Sequence, residues 1–349
     1  MIFTHEKFVT NIQQPGCFSI HILVKCRKRK GEVEALDKKA PIELGNDIYL
    51  IDGFDLGFEG RTGTYVLQGE KLTLVETGPS PSVPRILEGL KDLSLAAEQV
   101  EYIILTHIHL DHAGGAGLLL QECPNAKVIV HERGKRHLVD PSKLIAGARA
   151  VYGDKFDQLF DPILPVPEEK ILTKSDGETL DIDENRRLTF YDTPGHAKHH
   201  LGIFDSASQG IFTGDTAGIR YHQTEHTGLT FFLPTTSPNQ FDPEAMKQSI
   251  ERFRAMNPKR LFFGHFGKTE NPEEAFDEVI EWIPIFVEEA RTAWIENEGI
   301  AGIEERLHRR IVEYLNGKNI TEDHPVFELL RLDFEVCAMG LADYLRKQL

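Results

Sequence analysis

At 349 residues, with 39 basic against 55 acidic side chains and a formal net charge of −16, the chain has room for one large domain or a domain with an appendage. Its acidity argues against broad binding to nucleic acid or anionic membrane. No apolar run approaches the roughly 18 residues a spanning helix needs, and the first residues lack the order and apolar core of a signal peptide. Four scattered cysteines (Cys17, Cys26, Cys123 and Cys337) form no Cys-x-x-Cys pair, which suits a reducing cytoplasm better than a disulfide scaffold.

Residues 1–41 carry a charge of +4 and leave −20 for the remainder. The basic run 25–30 is read as a solvated extension, with an electrostatic contact to a partner as the other use of such a run. From Pro41 the pattern becomes globular. Strands are expected over 46–51, 64–67 and 71–75, with glycine-containing turns between them. The turn Glu76-Thr77-Gly78 ends the third, and a helix with proline near its start follows over 80–93.

The apolar, β-branched run 102–105 predicts a buried strand. It runs into Thr106-His107-Ile108-His109-Leu110-Asp111-His112-Ala113-Gly114-Gly115. Two residues apart at a strand end, His107 and His109 can point the same way. Asp111 and His112 are neighbours in a turn and must point elsewhere, which suits a second cation beside the first. Three histidines and an aspartate after a buried strand are a poor recipe for an ordinary turn; such density marks a metal site.

A helical stretch over 116–120 and a strand over 126–131 come next. His131, at that strand's end, reads as structural. Residues 132–162 read as mainly helical, and 180–191 as two strands about a polar turn. Then comes Asp192-Thr193-Pro194-Gly195-His196, where proline and glycine set a tight turn that aims one imidazole inward. A short strand ends in Gly214-Asp215, and a long loop, 216–241, holds Tyr221, His222, Phe231 and Phe232. Loops of that length in a compact domain are usually functional or mobile. A helix over 242–254 precedes a strand that ends in Gly264-His265.

The C-terminal part is helical. Ile303, Leu307, Ile311 and Leu315 form one apolar stripe, and Phe327, Leu330, Phe334, Cys337, Leu341 and Tyr344 another. These stripes can pack onto the domain, cap a cleft or make the seam of a homodimer. The division expected is 1–41 extension, 42–268 catalytic domain and 269–349 helical extension.

The run His107-x-His109-x-Asp111-His112 resembles the His-x-His-x-Asp-His signature of the metallo-β-lactamase-fold (glyoxalase II-like) hydrolases. Thr193-Pro194-Gly195-His196, Gly214-Asp215 and Gly264-His265 resemble the downstream motifs in the family's order, over roughly 46–268. The resemblance implies an α/β (α+β) fold, a four-layer αββα sandwich. It also implies two divalent cations, most readily zinc, with iron or manganese compatible. His107, His109 and His196 would hold one cation, Asp111, His112 and His265 the other, with Asp215 between. Glu76 stands where the family commonly has aspartate, and with His200 it would orient ligands from behind.

The same resemblance implies hydrolysis of a small-molecule ester, thioester, lactone or phosphodiester by a water bound between the cations, with Asp111 and Asp215 orienting the nucleophile or passing a proton. No Gly-x-Ser-x-Gly elbow offers a serine instead. Substrate contacts are assigned to Tyr221, His222 and Phe232, and to His199 unless that histidine faces solvent. The Gly-Cys-Gly-Arg stretch common in glyoxalase II enzymes is replaced by Ala217-Gly218-Ile219-Arg220-Tyr221. The alternative reading is a metal-binding regulator on the same fold, catalytically idle. For the basic run the expectation is early nicking by trypsin in the native protein; resistance at 25–30 would mean that the segment is docked.

Overall fold

The computed structural model describes residues 39–348; the basic run 25–30, Cys17 and Cys26 lie outside them. One sheet follows chain order: β1 (Ile42–Gly45), β2 (Ile48–Asp52), β3 (Gly63–Leu67), β4 (Leu72–Val75), β5 (Val100–Ile104), β6 (Lys127–His131) and β7 (Ile171–Lys174). Pairing is antiparallel as far as β4 and parallel from there to β7. Parallel neighbours need long crossovers, and helices supply them. These are α1 (Val83–Asp92), then α2 (Leu110–Ala113) with α3 (Ala116–Glu122), then α4 (Glu132–Val139), α5 (Ser142–Tyr152) and α6 (Phe156–Phe160).

The second sheet begins with β8 (Thr179–Asp183), β9 (Arg186–Asp192), β10 (Leu201–Asp205) and β11 (Gly210–Gly214). A small hairpin, β12 (Ile219–Arg220) with β13 (Phe232–Leu233), and α7 (Pro243–Ala255) lead to β14 (Arg260–Phe263) and β15 (Lys268–Thr269). The order is β15-β14-β11-β10-β9-β8, with β11 and β14 parallel. Three long helices close the chain: α8 (Pro272–Ile295), α9 (Gly299–Asn316) and α10 (Val326–Gln348).

Alternation along the strands makes the layers. In β5, Ile103 packs outward with Val83 and Leu119, while Ile104 faces the other sheet. In β11, Ile211 packs outward against α7 and α8, and Phe212 faces inward. Sheet meets sheet, and each sheet is covered by helices, which is the four-layer sandwich expected. Tyr65 crosses the inner layer edge-on to Phe212 and Phe262, at 5.2 and 5.6 Å between ring centres. Burial of such a ring contributes about 1.5–3 kcal/mol. Its hydroxyl lies 2.7 Å from both Phe263 O and Gly267 O and so braces the loop that carries His265.

The helical tail packs on the outer face of the second sheet. Ile303, Leu307, Ile311 and Leu315, with Phe327, Leu330, Phe334, Cys337 and Leu341, are buried in one cluster with Ile211 and Leu261. Both stripes are therefore used within the chain. Strands β1, β7 and β15 were not anticipated, being two to four residues long and too short to show a period. Residues 216–241 are more ordered than a loop, because β12 and β13 pair inside them. Among the described residues no helix is long and apolar enough to cross a membrane.

Glu278 on α8 ties tail to sandwich by accepting from Phe232 N and from the Tyr314 hydroxyl, each at 3.0 Å. Burial lifts its carboxyl from 4.5 to about 7. A raised folded-state pKa contributes stability that is whole below the unfolded value and lost as pH climbs through the folded one. Glu278→Gln keeps the uncharged form, so its melting temperature relative to wild type should rise steadily between pH 4.5 and about 7. A difference that stays flat over that window would contradict this account.

Candidate metal centre

Parallel pairing sets Val75 of β4 beside Ile104 of β5, so the turns after these strands lie together. Glu76 N donates to Ile104 O at 2.8 Å. Glu76 sits at φ 66, a left-handed conformation uncommon outside glycine. From there Oε1 accepts from Thr106 N at 3.1 Å, and Oε2 lies 3.6 Å from His112 Nδ1. The longer acid thus reaches both the backbone and a ring of the histidine cluster. Thr77 holds the same turn, its N and Oγ1 donating to His112 O at 2.9 and 3.0 Å.

The second sheet brings the remaining groups to this edge. His196 follows β9, while Asp215 and His265 follow the parallel pair β11 and β14, whose ends face the same way. Asp215 Oδ2 lies 3.9 Å from His107 Nε2, 3.4 Å from His196 Nε2 and 3.5 Å from His265 Nε2. Its Oδ1 is 3.3 Å from His112 Nε2. His196 Nε2 is 2.9 Å from His109 Nδ1, and Asp111 Oδ2 is 3.5 and 3.7 Å from Nε2 of His112 and His265. Three sets each gather their donor atoms within 4.8 Å: His107, His109 and His196; His107, His112 and Asp215; Asp111, His112 and His265.

Neighbours set the ring orientations. His196 Nδ1 lies 3.1 Å from Thr235 O, which as a carbonyl can only accept, so Nδ1 carries the proton and Nε2 is bare. His200 Nε2 accepts from Asp215 N at 3.1 Å, and its Nδ1 lies against the Thr193 and Thr216 hydroxyls. His200 therefore positions the aspartate from behind. Burial, then neighbouring imidazoles, push His107 and His109 well below the ordinary histidine range, toward the neutral ligating form. Burial opposes charge on His112 and His265 too, but the carboxylates facing them, Asp215 first and for His112 also Asp111 and Glu76, raise both. Asp215 itself is held well below the carboxylate range by His112, His265 and His196, against the opposing effect of burial.

Buried polar atoms normally find partners. Here His107 Nε2, both ring nitrogens of His112 and Asp215 Oδ1 have no hydrogen-bond partner. Orphaned nitrogens and a carboxylate oxygen at one point are what a divalent cation satisfies, so the residues fit the group the resemblance implies.

A cleft of about 210 Å³ opens on this centre, and His109, Asp111, His196, His199, Asp215 and His265 all border it. His199 is buried with Nδ1 unpartnered, and burial first, then nearby histidines, push it down to about 3. It meets the cleft as a neutral ring. Tyr221, His222 and Phe232 do not border the cleft, and their assignment to substrate is corrected. Phe232 is buried in β13 within the core. Tyr221 is buried too, and its hydroxyl donates to Asp333 Oδ2 at 2.8 Å. His222 lies against Gly60 O, 3.1 Å away, and the Phe266 ring.

Among the cleft residues that went unread in the sequence are Arg61 and Asp333. The Arg61 guanidinium binds Asp333 at 3.0 Å and lies 3.4 Å from Asp55; burial lifts the Asp55 carboxyl to about 6 despite that cation. The signal available was an acid set inside the apolar stripe of α10. That helix also braces His196. Ser237 Oγ donates to His196 O at 2.7 Å and Thr236 Oγ1 to Cys337 O at 3.2 Å. At Gly340 a Cβ would fall 2.2 Å from Thr236 Oγ1, so only glycine permits this approach.

Comparison with known proteins agrees with the geometry. The family model described as the metallo-beta-lactamase superfamily matches residues 57–265, more than half of the chain. The metallo-beta-lactamase fold-containing protein ST1585 of Sulfurisphaera tokodaii is 32% identical over 58% of this chain and 72% of its own length. The crystal structure of ST1585 superposes with a TM-score of 0.55 and 28% identity, over 67% of this chain and 84% of that one. The metallo-beta-lactamase family protein TTHA1429 of Thermus thermophilus shares the fold at a TM-score of 0.58 and 20% identity, over 88% of this chain and 95% of its own.

A Cβ added at Gly264 would fall 2.7 Å from His112 Cε1 and 2.9 Å from Asp215 Oδ1. Gly264→Ala should therefore leave the circular dichroism unchanged while weakening divalent-metal affinity about 10- to 100-fold, as displaced supporting groups do. Chelator competition measures this, and wild-type affinity in the variant would refute the close packing.

Proposed function

The chain belongs to the metallo-β-lactamase superfamily, and from that premise we propose that it is a hydrolase working with two divalent cations on an ester, thioester, lactone or phosphodiester of a small molecule. The observation that carries this reading is the convergence of five histidines and two aspartates, among which His107 Nε2, both ring nitrogens of His112 and Asp215 Oδ1 have no hydrogen-bond partner. His107, His109 and His196 would hold one cation, Asp111, His112 and His265 the other, and Asp215 both. The mixed nitrogen and oxygen donors suit zinc, with iron or manganese compatible. When bound, such a pair supplies an activated water and a Lewis acid for the bond under attack.

The protein's own groups do the rest. Asp215, with its amide held by His200, keeps a fixed charge at the centre. Asp111, its side chain 28% exposed, faces the cleft and can hold the proton destined for the leaving group. His199, neutral and bordering the cleft, offers one ring nitrogen to substrate without adding charge. The enclosed volume favours a small molecule over a polymer.

The joint variant His107→Ala/His109→Ala should lose bound metal and turnover together, measured by elemental analysis and by rates on p-nitrophenyl esters, bis-p-nitrophenyl phosphate, acyl-lactones and S-lactoylglutathione. Full activity without metal would refute the proposal. Metal binding with no turnover on any of these would favour an idle, ligand-binding regulator.

A further inference from the structure

Helix α5 is anomalous in this fold: it is eleven residues long and not one of them is fully buried. Its apolar positions Leu144, Ile145, Ala148, Val151 and Tyr152 recur at helical spacing and are half-buried. They pack with Leu110, with the buried Phe156, Leu159 and Phe160 of α6 and, from α10, with Leu332 and Met339. An apolar stripe of this kind ordinarily gives its whole face to such a core. Here part of the face borders the cleft instead, where Leu144, Ala148 and Val151 stand with Leu110, Phe160 and Val336. Gly147 borders it as well, and a Cβ there would meet nothing within 4 Å.

This apolar wall is continuous with the metal centre, since Asp111, Asp215 and His265 border the same cleft. Whatever lies along α5 is therefore part of a molecule whose reacting bond lies at the metal ligands. We infer that the groove between α5, α6 and α10 is an acyl-chain subsite, so that the substrate is an ester, thioester or lactone of an unbranched alkanoic acid. This inference rests on the hydrolase reading given above. In the reaction, water adds across the acyl carbon–oxygen or carbon–sulfur bond: the acyl carbon takes the water's oxygen and the alcohol or thiol takes a proton, giving two products from an ester or thioester and one ring-opened hydroxy acid from a lactone.

The test uses the metal-replete full chain. Turnover is measured on p-nitrophenyl acetate, butyrate, hexanoate and octanoate, and binding of butanoate and octanoate by calorimetry. In wild type both kcat/KM and affinity should rise about fourfold for each methylene the wall covers. Gly147→Leu fills the groove and replaces a poor helix former with a good one. It should lower the octanoate-to-acetate ratio in turnover and the octanoate-to-butanoate ratio in binding by at least tenfold. A flat wild-type series, or a gradient that Gly147→Leu leaves untouched, overturns the subsite. Turnover without chain-length dependence overturns the subsite and leaves the hydrolase standing. Chain-length-dependent binding, abolished by Gly147→Leu but with no ester turned over, leaves the subsite standing and overturns the hydrolase.

Discussion

Donor atoms withheld from water with nothing to bond are the constraint about which this structure is arranged. An unpaired buried polar group costs roughly 1–3 kcal/mol, and four such atoms belong to His107, His112 and Asp215 alone. Neighbours orient the two rings: Glu76 faces one edge of His112, and the Thr106 hydroxyl lies 3.0 Å from His107 Nδ1. Positive charge placed among them removes the penalty. The fold presents His107, His109, His196, Asp215 and His265 from the turns that follow strands, and Asp111 and His112 from helix α2.

The C-terminal helices belong to the same arrangement. Helix α10 buries its stripe in the core, accepts the Thr236 hydroxyl beside His196, and carries Asp333 into the cleft opposite Arg61. Breaking a buried ion pair by removal of one partner costs roughly 3–5 kcal/mol, so loss of either Arg61 or Asp333 would disturb that corner of the cleft. Tyr221 belongs to this brace, its hydroxyl engaged by Asp333.

The legible parts of the sequence were local. His107, His109, Asp111 and His112 follow a β-branched apolar run within six positions, and residue chemistry alone marks them. His196, Asp215 and His265 are isolated in the chain and became readable only through the order of the family's motifs. The cleft walls were not legible, because α5 is shaped by what it faces across space and no short-range pattern reports that. An aromatic-rich loop after a ligand looks the same whether it lines a pocket or packs beneath one. The pairing of Ile219 with Leu233 decided it, drawing Phe232 into the core. Arg61 and Asp333 meet across 272 positions, beyond any periodicity.

X-ray absorption at the metal edge of the metal-replete protein reads the central claim most directly. The account predicts a first shell of nitrogen and oxygen only, at about 2.0–2.2 Å, with a second metal about 3.5–4 Å away. Sulfur in the first shell, or no metal–metal vector at full occupancy, would contradict it.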